Sequence, residues 1–138
     1  MAAKEFQINV AGYWHEQNKS ELPIKSGIYC VYTCSLDGNQ GEVEVSRLIY
    51  VGSAKNVNEK IAKAEDLSQW QSYLSVGEQL CYTFGAVNSS FMERCASAIV
   101  FIHRPPANDG QANTFPFEPT MIVLTGITPF LRTTFLVT

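Results

Sequence analysis

The sequence predicts an α+β fold in which a small mixed or antiparallel sheet is flanked by helices and followed by a C-terminal β-hairpin. Apolar and polar residues alternate near both ends of the chain, which is the period of strands with one buried face. Two short apolar runs between residues 24 and 51 are separated by a polar stretch containing glycine, as in a β-hairpin. After residue 90, apolar residues recur at helical spacing until a pair of prolines.

The first half of the chain contains the strands. Residues 4–14 alternate and form an N-terminal strand, and residues 24–34 form the first strand of the hairpin. Asp-Gly and Asn within residues 36–41 supply the turn, and residues 43–51 form the return strand. The strand over residues 24–34 divides its side chains between two faces. One face carries Ile28, Cys30, Tyr32 and Cys34, and the other carries Tyr29, Val31 and Thr33.

Two short helices and a further strand follow the hairpin. Asn56 is a suitable N-cap for a helix over residues 57–66, and Glu59 can complete a capping box with it. Residues 68–74 form a second short helix, and residues 80–87 return to the alternation of a strand.

The most regular helix follows that strand. Ser90 is the expected N-cap, with Glu93 as the capping-box partner, and the helix continues to about Arg104. Pro105 and Pro106 end it, because proline cannot continue a helix. Its expected buried residues are Met92, Cys95, Ala96, Ile99 and Ile102.

The C-terminal part predicts a hairpin of strands over residues 120–124 and 133–137. A chain of 138 residues has the size of an ordinary domain. We therefore expect a single domain over residues 1–138, with its core at about residues 24–108 and a C-terminal extension at residues 115–138.

Composition excludes several classes of protein. With 46% apolar and 17% charged residues, the chain is expected to be globular rather than disordered. It lacks a membrane-length apolar run and a secretory signal, so we expect a cytoplasmic protein with no membrane partner. The net charge of −3 does not favour strong nonspecific binding to nucleic acid, which would require a local basic patch.

The cysteine pattern does not predict a zinc site. The four cysteines contain no CxxC pair, and the chain has only two histidines. Buried free thiols are the expected state.

Three motifs occur together in this chain: GIYCVY at residues 27–32, LIYVGSAKNV at residues 48–57 and IVFIHRPPAN at residues 99–108. In this order they resemble the core of the GIY-YIG nuclease superfamily, over about residues 24–108. The resemblance implies a GIY-YIG-like fold, a small sheet flanked by helices. It also implies descent from endonucleases that hydrolyse phosphodiesters with a divalent cation.

The resemblance further implies which residues form the active site. Tyr29 and Tyr50 match the two motif tyrosines, and in the superfamily a tyrosine helps to deprotonate the attacking water. Lys60 stands where the superfamily has an arginine that stabilises the transferring phosphoryl group. These three residues are the candidate catalytic residues, either functional or vestigial.

The chain departs from the superfamily pattern at its most important positions. Ala64 stands where a histidine is expected, and Ala96 stands where the metal-binding glutamate is expected. Lys60 keeps a positive charge but lacks the planar, two-pronged donor geometry of arginine. Without the carboxylate at position 96 we expect no cofactor, whereas an active enzyme would need Mg²⁺ or Mn²⁺.

Glu93 is the alternative metal ligand, because it lies one helical turn before Ala96. Its place three residues after Ser90 also fits a capping role. Glu65 and Asp66 are further candidates, although both fit solvent-facing charges at a helix end.

Three functions remain open from the sequence. The first is a catalytically impaired or inactive GIY-YIG-like domain that binds nucleic acid, such as DNA, weakly through Lys55, Lys60, Lys63 and the hairpin tyrosines Tyr29 and Tyr50. The second is an active endonuclease that uses Glu93 as its metal ligand. The third is a protein-binding module on the same scaffold, suggested by the acidic pI and the aromatic tail over residues 115–135.

Overall fold

The computed structural model describes residues 2–36, 43–111 and 113–138. These residues form one β-sheet with helices packed on its faces. The strands are β1 (Lys4–His15), β2 (Gly27–Leu36), β3 (Val43–Ala54), β4 (Gln79–Ala86), β5 (Thr120–Gly126) and β6 (Thr134–Val137). The α-helices are α1 (Val57–Ala62), α2 (Leu67–Gln71) and α3 (Met92–His103). Two 3-10 helical segments cover Glu16–Glu21 and Pro106–Asn108.

The six strands of the described residues have the order β3-β2-β4-β1-β5-β6. β1 and β5 run parallel, and the other neighbouring strands run antiparallel. The predicted α+β class and mixed sheet are therefore confirmed, and β5 and β6 pair as the predicted C-terminal hairpin. The N-terminal strand lies inside the sheet, between β4 and β5, which makes the sheet larger than the motif-bearing strands alone.

The predicted division of β2 between two faces is confirmed. Ile28, Cys30, Tyr32 and Cys34 belong to the core that contains the buried residues of α3. Tyr29 and Val31 belong to the core on the other face, with buried residues of α1 and α2. The four cysteines are buried and carry free thiols.

β2 and β3 form the predicted antiparallel hairpin. The predicted turn at residues 36–41 lies outside the described residues from position 37 onward. A Cβ atom at Gly27 would overlap the main-chain carbonyl of Gly85 on β4, so the close contact between these strands requires the motif glycine.

α1 is shorter than predicted. It ends at Ala62, whereas the sequence pattern extended the helix to residue 66. Val57 and Ile61 are its buried residues, while the neighbouring charged residues are exposed. A third turn would add little burial, and most helix stability in proteins comes from burying one face.

The predicted capping box at the start of α3 is wrong. Phe91 is the N-cap residue and makes no side-chain capping bond. Instead the Asn88 side chain accepts a hydrogen bond from the Ser90 amide at 2.9 Å, and the Asn88 carbonyl accepts one from the Phe91 amide at 2.9 Å. This local turn places Ser90 before the helix, and Glu93 has no capping bond to it.

The end of α3 follows the prediction. The helix ends at His103, with Arg104 as its C-cap, directly before Pro105. Of the predicted stripe, Ile102 is half-buried and the others are buried. No helix of the described residues is long and apolar enough to cross a membrane.

Candidate functional site

A cleft of about 250 Å³ lies beside β3, an edge strand of the sheet, with α1 and α3 contributing to its walls. Its walls bring together four residues singled out by the sequence: Tyr29, Tyr50, Lys60 and Glu93. Ala96 also lines the cleft. The remaining lining residues are Val51, Gly52, Ser53, Ser97, Val100 and Gln111.

The two motif tyrosines lie side by side but differ in exposure. Tyr29 is 1% exposed, Tyr50 is half-buried, and their ring centroids are 6.0 Å apart. Gly52 makes room for them, because a Cβ atom at this position would lie 2.5 Å from the Tyr29 hydroxyl oxygen. The second motif glycine thus has a packing role that is independent of any chemistry.

Both phenols are neutral at neutral pH. Burial raises the pKa of Tyr29, and the adjacent Tyr50 raises it further. Burial and the negative charge of Asp66 also raise the pKa of Tyr50, although hydrogen bonding to Tyr29 and Gln111 partly opposes this. A neutral phenol can donate a hydrogen bond to a phosphate oxygen, but it is a poor base for activating water.

The buried Trp70 packs against the rings of both motif tyrosines. This residue of α2 is 1% exposed, and its ring centroid lies 5.3 Å from that of Tyr50 and 6.4 Å from that of Tyr29. Tyr82 packs on it at 6.3 Å and donates its hydroxyl hydrogen to the Glu16 carboxylate. Trp70 and Tyr82 are therefore core residues that support the tyrosine pair.

Asn108 joins the cleft to the edge of the sheet. Its side chain is fully buried, accepts a hydrogen bond from the Val51 amide at 2.9 Å and donates one to the Val51 carbonyl at 2.9 Å. The same amide group donates to the Gln111 side-chain oxygen at 2.9 Å, and Gln111 partly opposes the rise in the pKa of Tyr50. Sequence reasoning missed Gln111, because only this contact with the motif asparagine connects its loop to the cleft.

The three candidate nucleic-acid-binding lysines lie together on one surface. Lys55, Lys60 and Lys63 line a shallow depression of about 400 Å³ next to the cleft, which also includes Glu59 and Glu65. Lys63 is paired with Glu59 at 2.9 Å, with both side chains largely exposed. The patch is therefore weakly basic. Lys60 is the lysine that lines both the depression and the cleft.

The remaining departures from the superfamily pattern are visible at the cleft. Ala96 lines it without a ligand oxygen, and Ala64 is half-buried against the aromatic core instead of lining it. Glu93 is exposed and is the carboxylate on the wall. The charge of Asp66 raises the pKa values of both tyrosines, but Asp66 does not line the cleft. Glu65 lines only the depression.

The donor set is a poor fit for Mg²⁺ or Mn²⁺. These hard cations favour charged oxygen ligands, whereas the described residues of the cleft offer a single exposed carboxylate, two neutral phenols and neutral hydroxyl and amide groups. The ammonium group of Lys60 on the same cleft adds repulsion against a cation. The described residues contain no group of three or more histidine, cysteine, aspartate or glutamate residues that could hold a metal ion.

The hydrogen-bond donors of the cleft instead suit a small anion, although the Glu93 carboxylate on the same wall repels one. Lys60 supplies a positive charge, and Tyr50 and Gln111 supply neutral hydrogen-bond donors on the same cleft.

Comparisons with protein-family models, curated proteins and solved structures find no match. The GIY-YIG resemblance remains a prediction from the three sequence motifs.

Proposed function

We propose that this chain is a GIY-YIG nuclease-like domain with an impaired catalytic site that binds nucleic acid weakly at the cleft beside β3. The observation that supports this proposal is the meeting of Tyr29, Tyr50 and Lys60 at a cleft whose wall carries Ala96. The cleft therefore retains donors for a phosphate but lacks the carboxylate that the superfamily uses to hold its cation.

Binding at the cleft rests on three groups. The Lys60 ammonium attracts a backbone phosphate, and Tyr50 and Gln111 donate hydrogen bonds to its oxygens. Lys55 extends the positive surface beside the cleft, and Lys63 contributes less because Glu59 neutralises it. With so few free cations, the affinity is low and strongly dependent on salt.

The cleft provides neither an efficient base for hydrolysis nor a fixed cationic group to stabilise the transition state. Tyr29 and Tyr50 are protonated at neutral pH, so neither removes a proton from water efficiently. Lys60 is a flexible point charge and does not provide the two parallel donors of an arginine. The expected outcome is binding without turnover.

An active endonuclease that uses Glu93 is the second candidate. One observation favours it: Glu93 lines the cleft and makes no capping bond to Ser90. This candidate predicts that Glu93→Gln abolishes metal-dependent cleavage while the melting temperature stays nearly unchanged.

Cleavage assays separate the two candidates. Plasmid, single-stranded and branched DNA are incubated with the wild-type chain in Mg²⁺ or Mn²⁺, with Tyr50→Phe and Glu93→Gln as matched variants. The proposal predicts no product above a buffer control in any of these samples. Cleavage by the wild-type chain that is lost in Tyr50→Phe or Glu93→Gln would contradict it and support the active enzyme.

A further inference from the structure

A second groove, of about 270 Å³, shares no lining residue with the Tyr29–Tyr50 cleft. It lies where the early part of β3, the end of α3 and the connection between β5 and β6 meet. Among the described residues, no carboxylate lines it. The lining residues that matter here are Arg47, Leu48, His103, Arg104, Pro106 and Phe130.

The groove concentrates positive charge in an acidic chain. The chain has four arginines and a net charge of −3. Arg47 and Arg104 line the groove, and the main-chain amide of Arg132 bonds to His103. The Arg47 guanidinium donates to the Tyr73 carbonyl, which fixes its position at the rim. Arg47 lies close to the Glu78 carboxylate and helps to lower its pKa, so the positive charge that attracts an anion to the groove comes mainly from Arg104.

Two residues of this groove hold a left-handed backbone conformation. Arg104 has a φ of 49° and Phe130 a φ of 61°, and they are the positive-φ residues other than glycine in the described part of the chain. Glycine adopts this conformation at lower cost, and it is the usual residue at a helix C-terminus such as that of Arg104. Backbone strain of this kind clusters at binding sites.

Burial does not explain why a large side chain occupies position 130. The Phe130 side chain is 59% exposed. Arg104 is also exposed, with its guanidinium carbon 5.4 Å from the centroid of the Phe101 ring. An exposed phenylalanine and an exposed arginine, both with positive φ, therefore line the same groove.

His103 holds the two sides of the groove together. Its Nδ1–H donates to the Ile99 carbonyl at 2.7 Å, and its Nε2 accepts from the Arg132 main-chain amide at 2.8 Å. The first bond fixes the imidazole on α3, and the second ties it to the segment that carries Phe130. The spacing between Arg104 and Phe130 is therefore set by folded structure rather than by a free loop.

We propose that this groove binds a phosphorylated nucleoside unit, with the base stacked on Phe130 and the phosphate bound by Arg104. An exposed aromatic face gives sequence-tolerant stacking, and a guanidinium forms charge-assisted hydrogen bonds to phosphate. The unit is either a free nucleotide or part of a single strand, because both present the same base and phosphate. This site is independent of the function proposed for the Tyr29–Tyr50 cleft.

Ligand titrations followed by NMR test the proposal at the site itself. The ¹⁵N-labelled chain is titrated with AMP, adenosine, inorganic phosphate and a short oligo(dA) at low salt. AMP shifts the amide resonances of Arg47, Arg104 and Phe130, while adenosine and phosphate each bind about tenfold more weakly because one contact is missing. Tighter binding of oligo(dA) than of AMP identifies a strand as the source, and the reverse order identifies a free nucleotide.

The contradicting outcomes are equally specific. Phosphate that binds as tightly as AMP would show an adventitious ion only, and an absence of shifts at the groove would overturn the proposal. An acidic peptide that binds there while AMP does not would point to a protein partner instead. Resonances of Gly52 and Ser53 report the separate cleft, so failure at one site is distinguishable from failure at the other.

Substitution by glycine distinguishes a binding role from a structural role. Arg104→Gly and Phe130→Gly each weaken AMP binding about tenfold through the loss of a charged contact or a stacking contact. Both raise the melting temperature or leave it unchanged, because glycine accepts the positive φ. Lys25→Gln is the control, since it removes an exposed charge outside the groove. Unchanged AMP affinity in both glycine variants would contradict the proposal.

Discussion

At the scale of single residues, the cleft depends on the space that glycine leaves for Tyr29. The Tyr29 hydroxyl occupies the position where a Cβ atom of residue 52 would stand, and Trp70 packs against the same ring. Packing is therefore sufficient to account for the glycine of the YVG triplet.

Gly52→Ala is expected to destabilise the fold by about 1–3 kcal/mol, because overpacking a dense core forces neighbouring side chains to move. The added methyl group would lie 2.5 Å from the Tyr29 hydroxyl oxygen and 2.8 Å from a ring carbon of Tyr50. Urea denaturation measures the change. Ser53→Ala, on the adjacent residue, is the matched control, and equal unfolding free energies for the two variants would contradict this packing role.

The environment of His103 predicts that the folded protein loses stability in acid. Burial lowers the pKa of His103 from 6.5, the Ile99 bond partly opposes this, and the charge of Arg132 lowers it further. Because the folded state resists protonation, its stability is fully present above pH 6.5 and falls as the pH decreases through the lowered pKa. The hydrogen bond that Nε2 accepts from the Arg132 main-chain amide also disfavours protonation of the imidazole.

Thermal melts of the wild-type chain and His103→Gln between neutral and mildly acidic pH check this expectation. The wild-type chain should lose more stability than the variant as the pH falls below 6.5. A difference that stays constant with pH would mean that His103 does not titrate differently in the folded and unfolded states.

At the scale of elements, β3 is an edge strand whose outer side must be protected. Its pairing with β2 shifts register between Val31 and Tyr32 and again between Thr33 and Cys34, and such bulges interrupt an edge. Farther along, Asn108 bonds both main-chain groups of Val51. The 3-10 segment after α3 therefore covers the edge at the cleft and positions Gln111.

Asn108→Ala is expected to cost about 2–4 kcal/mol, because it leaves the buried amide and carbonyl of Val51 without partners. The same change should disorder Gln111 and weaken binding at the cleft. Chemical denaturation measures the first effect and ligand titration measures the second. Asn113→Ala, at an exposed position of the same loop, is the control and should change neither.

At the scale of the whole molecule, local patterns predicted most elements but not their arrangement. Side-chain alternation predicted the two faces of β2, and the proline pair predicted the end of α3. The insertion of β1 between β4 and β5 depends on pairing between distant segments, which local periodicity does not encode. The Asn88 turn displaced the predicted Ser90 cap because two local hydrogen-bonding patterns competed at the same residues.

The site was predictable only in part, for similar reasons. The resemblance named Tyr29, Tyr50 and Lys60, and the structure brings them to one cleft with Glu93. Gln111 and Phe130 belong to none of the three motifs, and contacts between segments distant in the chain bring them to the cleft and to the groove. Whether these residues bind nucleic acid remains a prediction.

The central claim is that the Tyr29–Tyr50 cleft binds nucleic acid without a metal ion. Fluorescence anisotropy of a labelled single strand, measured in EDTA over a range of salt concentrations, tests it most directly. The wild-type chain should bind at low salt, and Lys60→Gln should weaken binding and reduce the salt slope by about one, unlike Lys25→Gln. An absence of binding at low salt in EDTA would contradict the claim. Binding that appears only when Mn²⁺ replaces EDTA, and that is lost in Glu93→Gln, would also contradict it.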